Sequence, residues 1–308
     1  MFTAISQFKF GSAAYQSKLH LERRVRLFLA DWQGSSWDTA DVPASRLPPG
    51  HGRVLCILLK GNMRWSGPEW ALALTGGEDM VLVTEEDLDG AKGKRINTFS
   101  TESAHFQKIE LRVDRDDLGP NANLHRPYKM NDAVLNSASA LMRFDARDVD
   151  GAIESVSTLL VALAEIGILR SGLEQSLNRA EPERLCRIWH AIAPYWENFD
   201  ANPSLQDVAD AAGISLRQAA RDCDEFQQVF HLPVDKFRIA FLTFRVRFAI
   251  FLLNTRNANL AEVAERAGYG STQAMTHAFR ALGIRTPGEL ATRARLRFER
   301  TQAQASAV

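Results

Sequence analysis

The spacing of hydrophobic residues changes along the chain and separates regions of different secondary structure. Between residues 20 and 115, short apolar and β-branched runs alternate with turn signals such as Pro48-Pro-Gly50 and Thr75-Gly-Gly77. Several short strands at near-regular spacing favour an antiparallel sandwich or barrel. From about 131 to 175, apolar residues recur every three or four positions, which predicts amphipathic helices.

The pattern is helical from Leu185 onward. The preceding stretch, about 175–185, is polar and contains Pro182, so we place a domain boundary there. The prediction is an N-terminal domain over 1–180, β-rich at 20–115 and helical at 131–175, followed by an all-α domain over 181–300. Strands in one block and helices in another indicate the α+β class.

A fifteen-residue pattern occurs twice, in Leu205–Ala219 and again 55 residues later in Leu260–Ala274, with seven identical positions. Each copy predicts a helix-turn-helix. Two helices that cross through a short turn need a small residue where they touch, here Ala209 or Ala264, and a turn residue that tolerates left-handed backbone angles, here Gly213 or Gly268. Ala219 and Ala274, six positions after each glycine, are predicted to let the helix pair close.

The segment between the copies predicts one long helix over Val234–Leu253. Its phenylalanines recur with helical period at 237, 241, 244, 248 and 251, a pattern typical of core residues. Twenty helical residues span roughly 30 Å, and successive major-groove faces of B-DNA lie about 34 Å apart. A connector of this length predicts two reading helices held one DNA turn apart.

Composition adds three constraints. Hydrophobic residues make up 45% of the 308-residue chain and the formal net charge is zero, but residues 236–308 carry twelve Lys/Arg against four Asp/Glu. The basic end is therefore the last quarter of the chain. Cys56, Cys186 and Cys223 lie far apart without a C-x-x-C pair, which argues against disulfides and structural zinc. No apolar stretch or leader pattern indicates a membrane or secreted protein, so we expect a cytoplasmic one.

Over about residues 190–295 the chain resembles the DNA-binding domain of AraC/XylS-type transcriptional regulators. The resemblance rests on the two repeats, the connector Arg245–Leu253, Ala278-Phe-Arg280 and the closing Thr286-Pro287. It implies that the partner is double-stranded DNA. It also implies that the N-terminal domain is a jelly-roll or cupin-like domain that binds a small-molecule effector and forms a homodimer, for which the helices at 131–175 are the expected contact surface.

In a helix-turn-helix, the first residues of the second helix reach the base edges, and flanking polar groups contact phosphates. Mapped on the two repeats, these positions predict DNA contacts from Ser215, Arg217, Gln218, Arg221, Ser271, Thr272, Gln273, Thr276, His277 and Arg280. Arginine can pair bidentately with guanine and glutamine with adenine. Arg245 and Arg247 in the connector are instead expected to form internal ion pairs, for instance with Asp235.

The second helix of the first repeat also carries Asp222, Asp224 and Glu225, where related domains tend to be neutral or basic. These acids are either a solvated face or a surface for a basic partner such as a subunit of RNA polymerase. They leave open a second function, a helix-turn-helix that binds protein and no longer reads DNA.

The N-terminal half gives weaker signals for a metal, catalytic or ligand site. His51, His105 and His125 lack the His-x-His spacing of a cupin metal site, so no metal is expected. No catalytic constellation is visible and no cofactor is expected. The interpretation as a cupin-like enzyme therefore rests on fold analogy alone. An apolar effector cavity would be lined by Trp32, Trp37, Arg64, Trp65 and Trp70.

Overall fold

A computed structural model of the chain describes residues 1–11, 13–34, 52–67, 69–85, 87, 97–101, 105–143, 148–177, 180–198, 200–232, 237–255 and 258–305. The predicted α+β class is confirmed: antiparallel strands fill the first third of the chain, and helices follow. No helix in these ranges is both long and apolar enough to cross a lipid bilayer.

The strands form two sheets that pack face to face, as predicted for a jelly-roll or cupin-like domain. A seven-stranded sheet has the order β1-β2-β3-β9-β4-β7-β10, and a three-stranded sheet has the order β6-β5-β8. In the described residues the strands are β1 (Phe2–Phe10), β2 (Ala13–Leu21), β3 (Val25–Gln33), β4 (Gly52–Lys60), β5 (Asn62–Ser66), β6 (Ala71–Thr75), β7 (Asp79–Thr84), β8 (Asn97–Thr101), β9 (His105–Asp114) and β10 (Pro127–Lys129).

The sheet extends further toward the N-terminus than predicted. The predicted β-rich region began at residue 20, whereas β1 and β2 together cover residues 2–21 with one antiparallel register. On β1 the residues Phe2, Ala4, Ser6 and Phe10 are buried and the positions between them are more exposed, which is the period of a half-buried strand.

The large sheet is covered on both faces. One face, formed by residues such as Leu27, Ile57 and Leu111, packs under α1 (Asp132–Arg143) and α2 (Val149–Glu165). The opposite face packs partly against the small sheet and partly against C-terminal helices. Because strand residues alternate between faces, each long strand contributes to both cores.

The C-terminal helices are α3 (Glu183–Glu197), α4 (Leu205–Ala212), α5 (Leu216–Val229), α6 (Phe237–Leu253), α7 (Leu260–Arg266), α8 (Thr272–Ala281) and α9 (Pro287–Ala305). The long connector is α6, about 25 Å from end to end. Its phenylalanines 237, 241, 248 and 251 are buried, as predicted for core residues. Residues 233–236, where the predicted connector began, lie outside the described residues.

The two halves of the chain share hydrophobic cores. Phe2 at the start of β1 stacks on Trp189 of α3 with ring centroids 5.4 Å apart, and it also contacts Phe226 and Phe230. Phe251 of α6 lies among Phe8, Tyr15 and Trp32 of the large sheet. The helical half is therefore packed directly on the strands.

Candidate nucleic-acid interface

The first helix-turn-helix consists of α4, a turn at Gly213 and α5. Ser204 caps α4 in a capping box: its Oγ accepts from the Asp207 amide, and the Asp207 carboxylate accepts from the Ser204 amide at 2.7 Å. These hydrogen bonds from the backbone and side chain of Ser204 lower the pKa of Asp207. Gly213 has φ +64°, and Ser215 caps α5 through the Gln218 amide.

The second helix-turn-helix consists of α7, a turn at Gly268 and α8. Asn259 caps α7 through the amides of Ala261 and Glu262. Gly268 has φ +69°, and the Ser271 hydroxyl accepts from the Ala274 amide to cap α8. Both predicted helix-turn-helix units are present, each with a serine at the start of its second helix.

The two turns differ in length, which corrects the correspondence read from the repeat. Ser215 lies two residues after Gly213, but Ser271 lies three residues after Gly268 because Gly270 is inserted. Position 219 of α5 therefore matches Met275 of α8. Ala219 is fully buried as predicted, whereas Ala274 is exposed, so the prediction that Ala274 lets the second helix pair close is wrong.

With this register the outward faces of α5 and α8 can be compared. Arg217 matches Gln273, Arg221 matches His277, and all four side chains are exposed. Among the other predicted contacts, Ser215, Ser271 and Arg280 are exposed, and Gln218, Thr272 and Thr276 are half-buried. The structure thus places every predicted DNA contact on or beside one outward face of its unit.

One residue of this face was not predicted from the sequence. Leu216, the first residue of α5, exposes 46% of its surface beside Arg217. A leucine next to a helix cap is ordinarily taken as a core position, and no signal in the sequence distinguishes it. At this place it offers apolar surface suited to a thymine methyl group.

The acidic surface predicted on α5 is mostly absent. Asp222 is only 1% exposed and points inward, so it forms no part of a surface. Glu225 forms an ion pair with Arg184 of α3 at 2.5 Å, and this hydrogen bond lowers the pKa of Glu225. Only Asp224 is an exposed acid on the face of Arg217 and Arg221. Of the three acids proposed to bind a basic partner, only Asp224 therefore remains exposed on this face.

Arg245 of the connector joins the two units. It is 7% exposed, and its Nη1 donates to Asn202 Oδ1 at 2.6 Å at the entrance to the first unit. Its Nε donates to the Ala267 carbonyl at 3.0 Å, and its Nη2 donates to the Gly268 carbonyl, both in the turn of the second unit. The guanidinium also lies 4.2 Å from the Tyr269 ring centroid. We call Asn202, Arg245, Gly268 and Tyr269 the junction.

Burial dominates the electrostatics of the junction. It lowers the pKa of Arg245, and it raises the pKa of Tyr269 to about 12. Arg245 is buried, as an internal role requires, but the predicted ion pair is not among its contacts in the described residues, where its partners are carbonyl and amide oxygens. Asp235, suggested as an ion-pair partner, lies outside the described residues.

A charged cluster faces the connector from the centre of the large sheet. Glu110 of β9 pairs with Lys108 and Arg112 at 2.5 and 2.8 Å. Burial raises the pKa of Glu110, but Lys108, Arg112 and Arg247 of α6 outweigh it and bring the value down to about 2. Arg247 therefore interacts electrostatically with the sheet, in addition to the aromatic contacts of Phe251.

Of the predicted effector-binding residues, Trp65 and Trp70 lie together with ring centroids 6.3 Å apart, and Trp32 belongs to the same hydrophobic core. Trp32 is buried and stacks on Phe106 at 4.1 Å, Trp65 is buried, Arg64 is exposed, and Trp70 stacks on the His125 ring at 4.5 Å. Trp37 lies outside the described residues. A cleft of about 280 Å³ opens elsewhere, between β1 and the C-terminal helices, lined by Lys9, Glu197, Phe248, Leu252 and Arg266 among others.

Two of the three histidines considered for a metal site are paired with carboxylates. His105 Nε2 lies 2.7 Å from Asp31, and His125 Nε2 lies 2.6 Å from Asp87. His51 lies outside the described residues. Among the residues that are described, no three His, Cys, Asp or Glu side chains converge in a way that could hold a metal ion.

Solved structures similar to this chain include an AraC-like transcriptional activator. It is CuxR, 10% identical, with 71% of this chain and 79% of that chain covered and a TM-score of 0.33. A ToxT variant from Vibrio cholerae without ligand is 11% identical, with 92% and 98% covered and a TM-score of 0.33. ToxT with a bound unsaturated fatty acid is 12% identical, with 88% and 96% covered and a TM-score of 0.34.

No protein-family model matches the chain, and no curated protein sequence matches it. The function proposed below therefore rests on the geometry of the two helix-turn-helix units.

Proposed function

We propose that this protein is a sequence-specific DNA-binding transcriptional regulator of the AraC/XylS type. The observation that carries the proposal is the pair of capped helix-turn-helix units, whose second helices both present polar side chains outward. A helix of this kind enters the major groove with its N-terminal residues at the base edges. Arg217, Arg221, Gln273, His277 and Arg280 are the side chains we assign to that contact.

Arg217→Ala is expected to weaken binding to the DNA duplex that the full chain selects from a random pool by about 1–3 kcal/mol, or roughly 5- to 150-fold in Kd. Arg217 is exposed at the second position of α5, where an arginine reaches guanine bidentately. Fluorescence anisotropy at one fixed salt concentration measures the change.

The matched control is Arg115→Ala, which removes another exposed arginine, from the N-terminal half, and should leave the Kd unchanged. Equal losses in the two variants would point to unspecific charge attraction. A full chain that selects no sequence, or an affinity that does not fall with salt, would contradict the proposal and favour the protein-binding alternative.

We propose that the N-terminal half senses a small molecule. Phe248 and Phe251 of the connector contact the sheet directly, so a ligand that favours one packing of sheet and connector would shift the helix-turn-helix units with it. Native mass spectrometry of the purified full chain tests this. A protein that neither carries nor takes up a small molecule would contradict the sensing role.

The proposed homodimer places α1 and α2 at the contact. Val149 and Val161 of α2 are each 40% exposed, and Leu135 and Met142 of α1 and Ile153 of α2 are half-buried. Val161→Asp is expected to convert the dimer to monomer, because a desolvated unpaired charge at an interface costs several kcal/mol. Sedimentation velocity measures the mass. Ala261→Asp on α7 is the control and should stay dimeric; a dimeric Val161→Asp protein would contradict this surface.

A further inference from the structure

The first helix-turn-helix contains a chain of three polar side chains on α5. Gln218 Nε2 donates to Asp222 Oδ1 at 2.5 Å, and Gln218 Oε1 accepts from Arg221 Nη2. Asp222 is 1% exposed, whereas Arg221 is 73% exposed. This series of hydrogen bonds therefore runs from the buried Asp222 to the exposed guanidinium of Arg221.

Asp222 and Arg221 determine which way the side-chain amide of Gln218 is oriented. A carboxylate only accepts and a guanidinium only donates, so Gln218 must turn its nitrogen toward Asp222 and its oxygen toward Arg221. Bidentate pairing with adenine needs the nitrogen and the oxygen of the amide together at the base edge. Both atoms of Gln218 already have partners on α5, so bidentate pairing with adenine competes with these two hydrogen bonds.

A carboxylate is energetically unfavourable at the buried position 222. The neighbouring inward positions of α5 carry Ala219, Cys223 and Phe226, and an apolar side chain would fill position 222 without desolvating a charge. Its Oδ2 has no hydrogen-bond partner in the described part of the chain. The carboxylate is used through Oδ1, which accepts the hydrogen bond from Gln218 and lies 4.0 Å from Arg221 Nε.

We propose that Asp222 and Gln218 are positioning residues that hold Arg221 ready to read a guanine. This inference rests on the proposed function and assigns one base preference within it. One of the five guanidinium N–H groups goes to Gln218, which leaves the end-on pair from the two terminal nitrogens for guanine O6 and N7. A guanidinium that is held in place before binding loses less conformational entropy when it contacts DNA.

The experiment measures full-chain affinity for the selected duplex and for duplexes in which each base pair is changed in turn. Arg221→Ala is expected to abolish a guanine preference of about 5- to 150-fold at one position. Gln218→Met is expected to reduce the preference at that same position, and the double variant should lose no more than Arg221→Ala alone. Gln228→Met, on an exposed part of α5, is the control and should change nothing.

The carboxylate is tested by rescue. Asp222→Ala is expected to reduce the same guanine preference, and Asp222→Asn, whose carbonyl oxygen accepts the same hydrogen bond, should restore it. If Gln218→Met instead relaxes a different base pair, or if its loss adds to that of Arg221→Ala, the positioning role is overturned while DNA binding stands. A full chain that selects no sequence overturns both; Gln218→Met decides the inference even where Asp222→Ala does not fold.

Discussion

Arg245→Met is expected to lower the free energy of unfolding by about 3 kcal/mol and to abolish the proposed sequence-specific DNA binding. The substitution leaves the two turn carbonyls of Ala267 and Gly268 without their donor, and each buried polar group left unsatisfied costs about 1–3 kcal/mol, whereas the exposed Asn202 side chain can turn to water. DNA binding fails for a separate reason. The junction is where the entrance of the first unit meets the turn of the second, so the two reading helices lose their fixed relative position.

Urea unfolding and anisotropy with the selected duplex measure the two effects. Arg238→Met is the matched control, because Arg238 belongs to the same helix but is exposed. It should change stability by less than about 0.5 kcal/mol. If Arg245→Met unfolds at the same urea concentration as Arg238→Met, the hydrogen bonds of the junction contribute nothing and this account is wrong.

The helix-turn-helix units could be predicted because their signals are local. Gly213, Gly268 and the small residues before them follow from the steric needs of a tight turn, and a repeat makes each copy support the other. The register inside the second unit could not be predicted. Gly270 lengthens that turn by one residue, and a chance match of Gln218-Ala219 with Gln273-Ala274 hid the insertion.

Side-chain burial within a helix was harder to predict than the helix itself. The sequence placed Asp222 on a surface and did not single out Leu216, whereas the structure buries Asp222 and exposes Leu216. Charge and hydropathy normally decide such positions. Here the first turn of α5 projects from the molecule and its middle packs inward, so tertiary position overrides residue type.

Contacts between the halves were invisible from the sequence. The strand β1 lies about 190 residues from Trp196, yet the Ser6 hydroxyl donates to the Trp196 carbonyl and Phe2 packs on α3. Patterns of period two or near 3.6 report that a residue is buried, but not against which partner. The shared cores, and the cleft that they border, therefore required the three-dimensional structure.

Gly213→Ala and Gly268→Ala are expected to differ in stability although the repeat makes the two glycines equivalent. Both have positive φ, at +64° and +69°, and an alanine in this conformation costs about 1 kcal/mol. A Cβ on Gly213 would meet no atom within 4 Å, whereas a Cβ on Gly268 would lie 2.1 Å from the Asp200 carbonyl oxygen. Overpacking of this kind adds about 1–3 kcal/mol, so Gly268→Ala should cost roughly 3 kcal/mol.

Asparagine substitutions separate the cost of the left-handed backbone conformation from the cost of the steric contact with Asp200. It tolerates the left-handed conformation, so Gly213→Asn should be close to neutral, while Gly268→Asn should remain destabilised by the contact with Asp200. Urea unfolding of the four variants provides the comparison. Equal losses at the two glycines would mean that the segment before α4 yields to a methyl group. The second turn would then not be held against the first unit, and Arg245 alone would have to fix their relative position.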